Sequence, residues 1–205
     1  MVVGVSYLVG SIPFSGIIAW RLRGVDLRTV GTGTVSGTGL YRVAGLGPLL
    51  VGGILDLAKG SIGPVLAGRG RPVLAAAAGA AGVAGHNWSL VLGGAGGRGI
   101  SPAMGSLLVT GWEGSLHLLG ALAIGKALDA TSLGAFAGYV TLPAVMGVRR
   151  GRSGLLAALA LLVPMLCKRV LGNRALPAGR EWQVGVTRLV FDQDTPKWPR
   201  VGRVR

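Results

Sequence analysis

Long apolar runs alternate along the chain with short clusters of charge. The first run extends from Met1 to about Trp20 and is followed by Arg21, Arg23, Asp26 and Arg28. About 20 apolar residues are enough for a helix to cross a bilayer, so this run predicts a span. A cleaved signal would carry positive charge before the run and a small-residue cleavage site after it. Here the charge follows the run, which predicts a retained helix with its C-terminal end at the cytoplasmic face. A Gly- and Thr-rich linker, 30–42, leads into a second run, 43–67, interrupted by Asp56 and Lys59. Arg69 and Arg71 close that hairpin, and 72–92 reads as a third helix whose many Ala and Gly residues let neighbouring backbones approach closely. Beyond a second Gly-rich stretch, 93–99, apolar runs cover 100–127, 131–148 and 153–166. Trp112, Glu113 and Gly114 divide the first of these into two short spans, giving seven in all; without that division the count is six.

The fold class expected is therefore all-α, a polytopic transmembrane helix bundle. Apolar periodicity is lost from about Gly172, and Pro177, Pro196 and Pro199 punctuate the remainder of the chain. Two parts are expected: a membrane domain, 1–171, and a basic cytoplasmic C-terminal tail, 172–205, lying along anionic headgroups. Each basic residue there would contribute about 1 kcal/mol of attraction. From Lys168 onward nine Lys+Arg stand against three Asp+Glu, which favours a cytoplasmic C-terminus and seven spans. In that reading Arg149, Arg150 and Arg152 fall on the external side.

Composition narrows the function classes. Half of the residues are hydrophobic, only 14% are charged, and 21 Lys+Arg against 7 Asp+Glu give a net charge of +14. A soluble domain carries roughly a quarter of its residues as charges. On a soluble core such basicity would point to nucleic acid; distributed between apolar runs it anchors loops at a membrane, so membrane lipids and not nucleic acid are the expected partners. The single cysteine, Cys167, has no internal partner and is expected as small apolar filler. Trp88, Trp112, Trp182 and Trp198 are expected at membrane interfaces.

Ionisable groups within spans cost on the order of 2.5 to 3.5 kcal/mol at mid-helix, so each needs a partner or a purpose. Asp56 and Lys59, three residues apart, share a helix face and can neutralise each other. They read either as a structural pair or as part of a site. Glycine loops expose backbone N–H groups to oxyanions, and a neighbouring cation supplies full charge. The first loop, Gly31 to Gly39, adds the hydroxyls of Thr32, Thr34, Ser36 and Thr38 and leads to Arg42; the second, Gly93 to Gly99, carries Arg98. Neither is a Walker loop, since no Gly-Lys-Ser/Thr follows, and neither is a Rossmann fingerprint, since no strand precedes it. Two such cradles imply one substrate with two phosphates or two phosphorylated substrates. His86 reads in isolation as an interfacial hydrogen-bonder, and His117, with Glu113 at helical spacing, as structural. No Cys, His and carboxylate set has metal-ligand spacing, so no metal site is expected. A small anion transporter could use the same interior charges, but the inverted repeats it would carry are not visible.

The order of motifs is more specific than any one of them. Ser11-Ile12-Pro13-Phe14, the Gly-x-Gly loop ending at Arg42, Asp56-Leu57-Ala58-Lys59-Gly60, Gly85-His86 and Gly96-Gly97-Arg98-Gly99 occur in succession. Over roughly residues 4–172 the chain thereby resembles the bacterial acyl-phosphate:glycerol-3-phosphate acyltransferase family (PlsY type), small membrane enzymes of seven spans. The resemblance implies transfer of a fatty acyl group from acyl phosphate to glycerol 3-phosphate, giving lysophosphatidic acid and phosphate, without metal or organic cofactor. It implies a multi-pass protein of the bacterial inner membrane whose active site faces the cytoplasm. It also implies roles. His86, Lys59, Arg42 and Ser11 would be catalytic, His86 positioning or deprotonating the glycerol hydroxyl, Lys59 neutralising a phosphate and Asp56 orienting Lys59. Gly31, Gly33 and Thr38 would join Arg42 in one phosphate cradle, with Thr32 or Ser36 donating hydroxyls. Gly96, Gly97, Arg98 and Gly99 would hold the second phosphate. The family loop reads Gly-Ser-Gly-Asn-x-Gly-Ala-Thr-Asn-x-x-Arg; here Thr32, Thr34, Ser36 and Gly39 depart from it. Arg98 replaces a lysine, keeping its charge with a different geometry. A relative using another phosphorylated acceptor, or one without activity, is the alternative those changes allow.

Overall fold

The structure, a computed structural model, describes residues 1–196. Trp198 and the end of the basic tail lie outside the described residues. Helices α1 (Val2–Gly10) and α2 (Phe14–Arg23) form one interrupted apolar span. Pro13 lacks an N–H and drives Ile12 out of the helical region, so the helix stops there and the Ile12 carbonyl, outside any helical ladder, accepts the Phe14 N–H at 3.2 Å. The first glycine loop follows and ends in α3 (Gly37–Ala44), whose first turn is capped by the Ser36 hydroxyl accepting the Gly39 N–H at 3.3 Å. Then come α4 (Leu46–Ala67), α5 (Pro72–Asn87), α6 (Ile100–Thr110), α7 (Trp112–Ala127), α8 (Thr131–Leu171) and α9 (Glu181–Phe191).

Two reversals bear out the division of the later apolar runs. Gly111 ends α6, and α7 returns along it, with the Ser115 hydroxyl donating to the Met104 carbonyl at 2.7 Å. Helix α8 reverses at Gly151, which takes φ 61, ψ −147. As a result Gly154 lies against the Met146 carbonyl, eight residues earlier, a pair about 12 Å apart in a straight helix. Its two arms, 131–150 and 152–171, are each about 30 Å long, the thickness of a bilayer core. Among the described residues three stretches are long and apolar enough to cross a membrane: Val2–Arg23, Leu46–Ala67 and Thr131–Leu171. With the reversal in the third, and with α5, α6 and α7, the described residues form seven apolar helical segments.

The small residues of α5 do what their composition predicts. Gly85 rests on the Tyr7 carbonyl of α1, and Gly10 of α1 rests on the Gly82 backbone; neither leaves room for a side chain. A shared core of Val83, Leu107, Leu118, Tyr139, Leu142 and Met165 joins α5 to α8. Leu8, Ile54, Val65, Leu116 and Val163 face outward, as expected where the surroundings are lipid. Cys167, expected as small apolar filler, likewise lies exposed. Beyond Gly172 the structure again differs from the sequence reading: α9 is a helix whose buried face is Val184, Gly185, Arg188 and Phe191. An arginine within that stripe hides it from an apolar-periodicity search.

The second arm of α8 runs beside α5, with Gly79 against Leu161 and the Asn87 amide donating to the Pro164 carbonyl at 2.7 Å. This pairing gathers both glycine loops and residues 172–196 at one end of the bundle. The turns at 68–71 and Gly151 lie at the other.

Candidate active site

The break in the first span creates the centre of the site. The Lys59 ammonium donates to the Ile12 carbonyl at 2.6 Å, pairs with Asp56 Oδ1 at 2.9 Å and sits 5.6 Å from the centre of the Phe14 ring. Asp56 and Lys59 side chains are only 4% and 2% exposed, so neither charge has water to stabilise it and each depends on the other. Asp56 Oδ2 accepts the Ser15 hydroxyl at 3.4 Å, and His86 Nδ1 lies 3.7 Å from Asp56 Oδ1. One carboxylate therefore gathers a cation, an imidazole and a hydroxyl from three separate helices. With Nδ1 turned to Asp56, Nε2 faces Gly97, where a Cβ would collide with the ring. The Gly97 N–H donates to the His86 carbonyl at 3.1 Å, which fixes the second loop beneath the histidine. A narrow cleft, with a cavity volume of about 10 Å³, opens here, lined by Ser11, Ser15, Asp56, His86, Gly96 and Gly97 among others.

A second, larger and more polar cleft of about 200 Å³ is lined by Gly31, Thr32, Arg98, Arg174, Asp192 and Asp194. The two clefts border a junction between the glycine loops. The Val35 N–H donates to the Gly96 carbonyl at 3.1 Å. The Asn173 amide donates to the Gly33 and Gly96 carbonyls, both at 2.8 Å, and accepts the Gly96 N–H at 3.2 Å. Arg98 donates from Nη1 to the Lys168 carbonyl and pairs through Nε with Asp192, each at 2.7 Å. Burial pushes the Arg98 guanidinium below its ordinary value and the Asp192 carboxyl above its own, and each charge opposes the shift of the other.

The sequence-derived residues thus fall into groups. Ser11, Asp56, His86, Gly96 and Gly97 line the first cleft, with Lys59 directly behind Asp56; Gly31, Thr32 and Arg98 line the second. Arg42 is exposed, its Nη1 3.6 Å from where Gly31 would carry a Cβ, and its guanidinium makes no hydrogen bond or ion pair among the described residues. Ser36, Thr38, Gly33 and Gly99 line neither cleft: Ser36 caps α3, Thr38 is exposed in its first turn, the Gly33 carbonyl is taken by Asn173, and Gly99 begins α6. Thr32 and Thr34 share a hydroxyl contact of 2.9 Å. His117 is tied to Thr141 at 2.9 Å and so joins α7 to α8, the structural part expected of it. Ser15, Ser89, Asn173 and Asp192 were not singled out from sequence. Ser15 could have been, standing four residues after Ser11 in the broken span. Asn173 and Asp192 sit where no sequence pattern marks them.

A polytopic helical bundle with this cluster at one end is the architecture of a membrane-embedded acyltransferase. Its fold matches the crystal structure of PlsY, an integral membrane glycerol 3-phosphate acyltransferase in its glycerol 3-phosphate form, with a TM-score of 0.73 and 27% identity over 87% of this chain and 94% of that one. The lysophosphatidic acid form of PlsY matches with a TM-score of 0.71, 26% identity and coverages of 82% and 86%. The glycerol-3-phosphate acyltransferase of Clostridioides difficile is 29% identical over 88% of this chain and 93% of its own. That of Halalkalibacterium halodurans is 39% identical over 71% and 72%. The chain belongs to the glycerol-3-phosphate acyltransferase family, whose pattern it matches over residues 1–173.

Proposed function

We propose that this chain transfers a fatty acyl group from acyl phosphate to glycerol 3-phosphate, releasing phosphate and lysophosphatidic acid. The observation that carries the reading is the buried Asp56, Lys59 and His86 cluster set directly under the two glycine loops. Acyl phosphate is a mixed anhydride whose phosphate already leaves well, so alignment and charge neutralisation do most of the catalytic work. His86 Nε2, with Nδ1 turned to Asp56, accepts the glycerol hydroxyl proton as the hydroxyl oxygen attacks the acyl carbon. The acyl C–O bond breaks and the electron pair leaves on phosphate, whose charge Lys59 offsets. Arg98, Gly31 and Thr32, with Arg42 beside them, hold phosphate in the polar cleft. Ser11 donates near the reacting atoms, and the acyl chain lies between helices in the bilayer.

The setting we infer is the bacterial inner membrane with the clefts facing the cytoplasm. Arg21, Arg23, Arg28, Arg42, Arg174 and Arg180 lie at the site end, and the described cations of the far end, Arg69, Arg71, Arg149, Arg150 and Arg152, are fewer. That asymmetry supports the orientation.

The deciding experiment presents radiolabelled acyl phosphate and glycerol 3-phosphate to purified protein, and tests rescue of a strain lacking this acyltransferase. The parent is expected to form lysophosphatidic acid and to rescue. Lys59→Ala and Arg42→Ala are expected to lose at least about a hundredfold in kcat/KM. Absence of product from the parent, equal activity in all three, or anion flux in liposomes without a covalent product would overturn the proposal.

A further inference from the structure

Residues 181–196 lie beyond the stretch that matches the family, 1–173, yet they build a wall of the polar cleft. Two buried arginines fasten them there. Arg169 donates from Nη2 to the Ser132 carbonyl at 2.7 Å and to the Val190 carbonyl at 3.0 Å. Arg188 donates from Nη1 to the Leu171 and Arg174 carbonyls at 2.9 and 3.0 Å and pairs with Asp194 at 2.6 Å. Helix α9 is therefore held against α8 and the Asn173 turn.

Its last step is Asp192, which leaves the helix with φ 56, ψ 30, a left-handed conformation disfavoured for residues bearing a Cβ. That turn directs the carboxylate at Arg98, whose side chain is only 10% exposed. Nε is then engaged by Asp192 and Nη1 by the Lys168 carbonyl, while Nη2 has no partner among the described residues. We infer that Asp192 is a positioning residue for the acyl transfer: it clamps the Arg98 guanidinium by its inner edge and so presents the remaining nitrogen to the phosphate of glycerol 3-phosphate in the cleft. This rests on the phosphate role proposed for Arg98. A planar guanidinium recognises phosphate through fixed directions, so its orientation governs its grip.

Asp192→Gly removes the carboxylate while suiting the left-handed backbone, so the fold is kept or stabilised. Asp192→Asn is the companion variant. For both, KM for glycerol 3-phosphate is expected to rise about tenfold with kcat within about twofold of the parent. In an Arg98→Ala background neither substitution should change KM further, because the clamp then has nothing to hold. An unchanged KM, a lowered KM that would mark Asp192 as a competitor of phosphate, or additive effects in the double variants would overturn the inference. Calorimetric titration of the detergent-solubilised full chain with glycerol 3-phosphate separates the two readings. A parent that binds without turnover overturns the reaction proposed above and leaves Asp192 judged by the ratio of Kd values, again expected near tenfold. A parent that does not bind overturns both.

Discussion

Gly97 shows how little freedom the site leaves a single residue. It lies against the His86 imidazole, where an added Cβ would enter the ring, while its backbone is ordinary for any residue. Gly97→Ala is therefore a steric probe of histidine placement alone. Overpacking of this kind costs about 1–3 kcal/mol, and displacement of His86 is expected to lower kcat at least about tenfold with the helical circular dichroism unchanged. Parent-like turnover in that variant would remove His86 from the reaction. The Asp56 and Lys59 pairing was legible because three residues on a helix is a fixed geometry. The third partner of that ammonium, the Ile12 carbonyl 47 residues away, was not, since nothing local records which carbonyl outside a helical ladder meets which cation.

Among the elements, the α8 hairpin turns on one torsion. Gly151 sits at φ 61, ψ −147, a region essentially reserved for glycine, and a Cβ there costs roughly 1–3 kcal/mol. No neighbouring atom stands in the way, so the penalty is conformational and not steric. Gly151→Ala is expected to lower the thermal midpoint of the detergent-solubilised protein by several degrees while leaving KM for glycerol 3-phosphate at the parent value; an unshifted midpoint would show that the turn relaxes. The span pattern of α4, α5, α7 and both arms of α8 was readable because hydropathy and length are one-dimensional properties. Helix α9 escaped because its buried stripe includes Arg188, whose charge is satisfied by carbonyls that only the folded chain delivers.

For the whole molecule, the arrangement of ends makes a directional claim. With Cys167 replaced by Ser to remove the exposed native thiol, cysteines introduced at Arg180 and at Arg69 report opposite faces. A membrane-impermeant maleimide applied to intact cells is expected to label Arg69→Cys and to reach Arg180→Cys only after permeabilisation. The reverse pattern would put the clefts outside, away from cytoplasmic glycerol 3-phosphate. By itself the sequence determined the membrane class, the helical segments, the polar residues lodged among them and, through the order of its motifs, the family. These follow from local composition, from helix geometry and from neighbours a few residues apart. Tertiary packing alone decided that Asp56 would gather His86 and Ser15 around its pair with Lys59, that Asn173 would bind the two loops together, and that Asp192 would reach Arg98. Such pairings join segments tens of residues apart, and their energies depend on burial that exists only once the helices have docked.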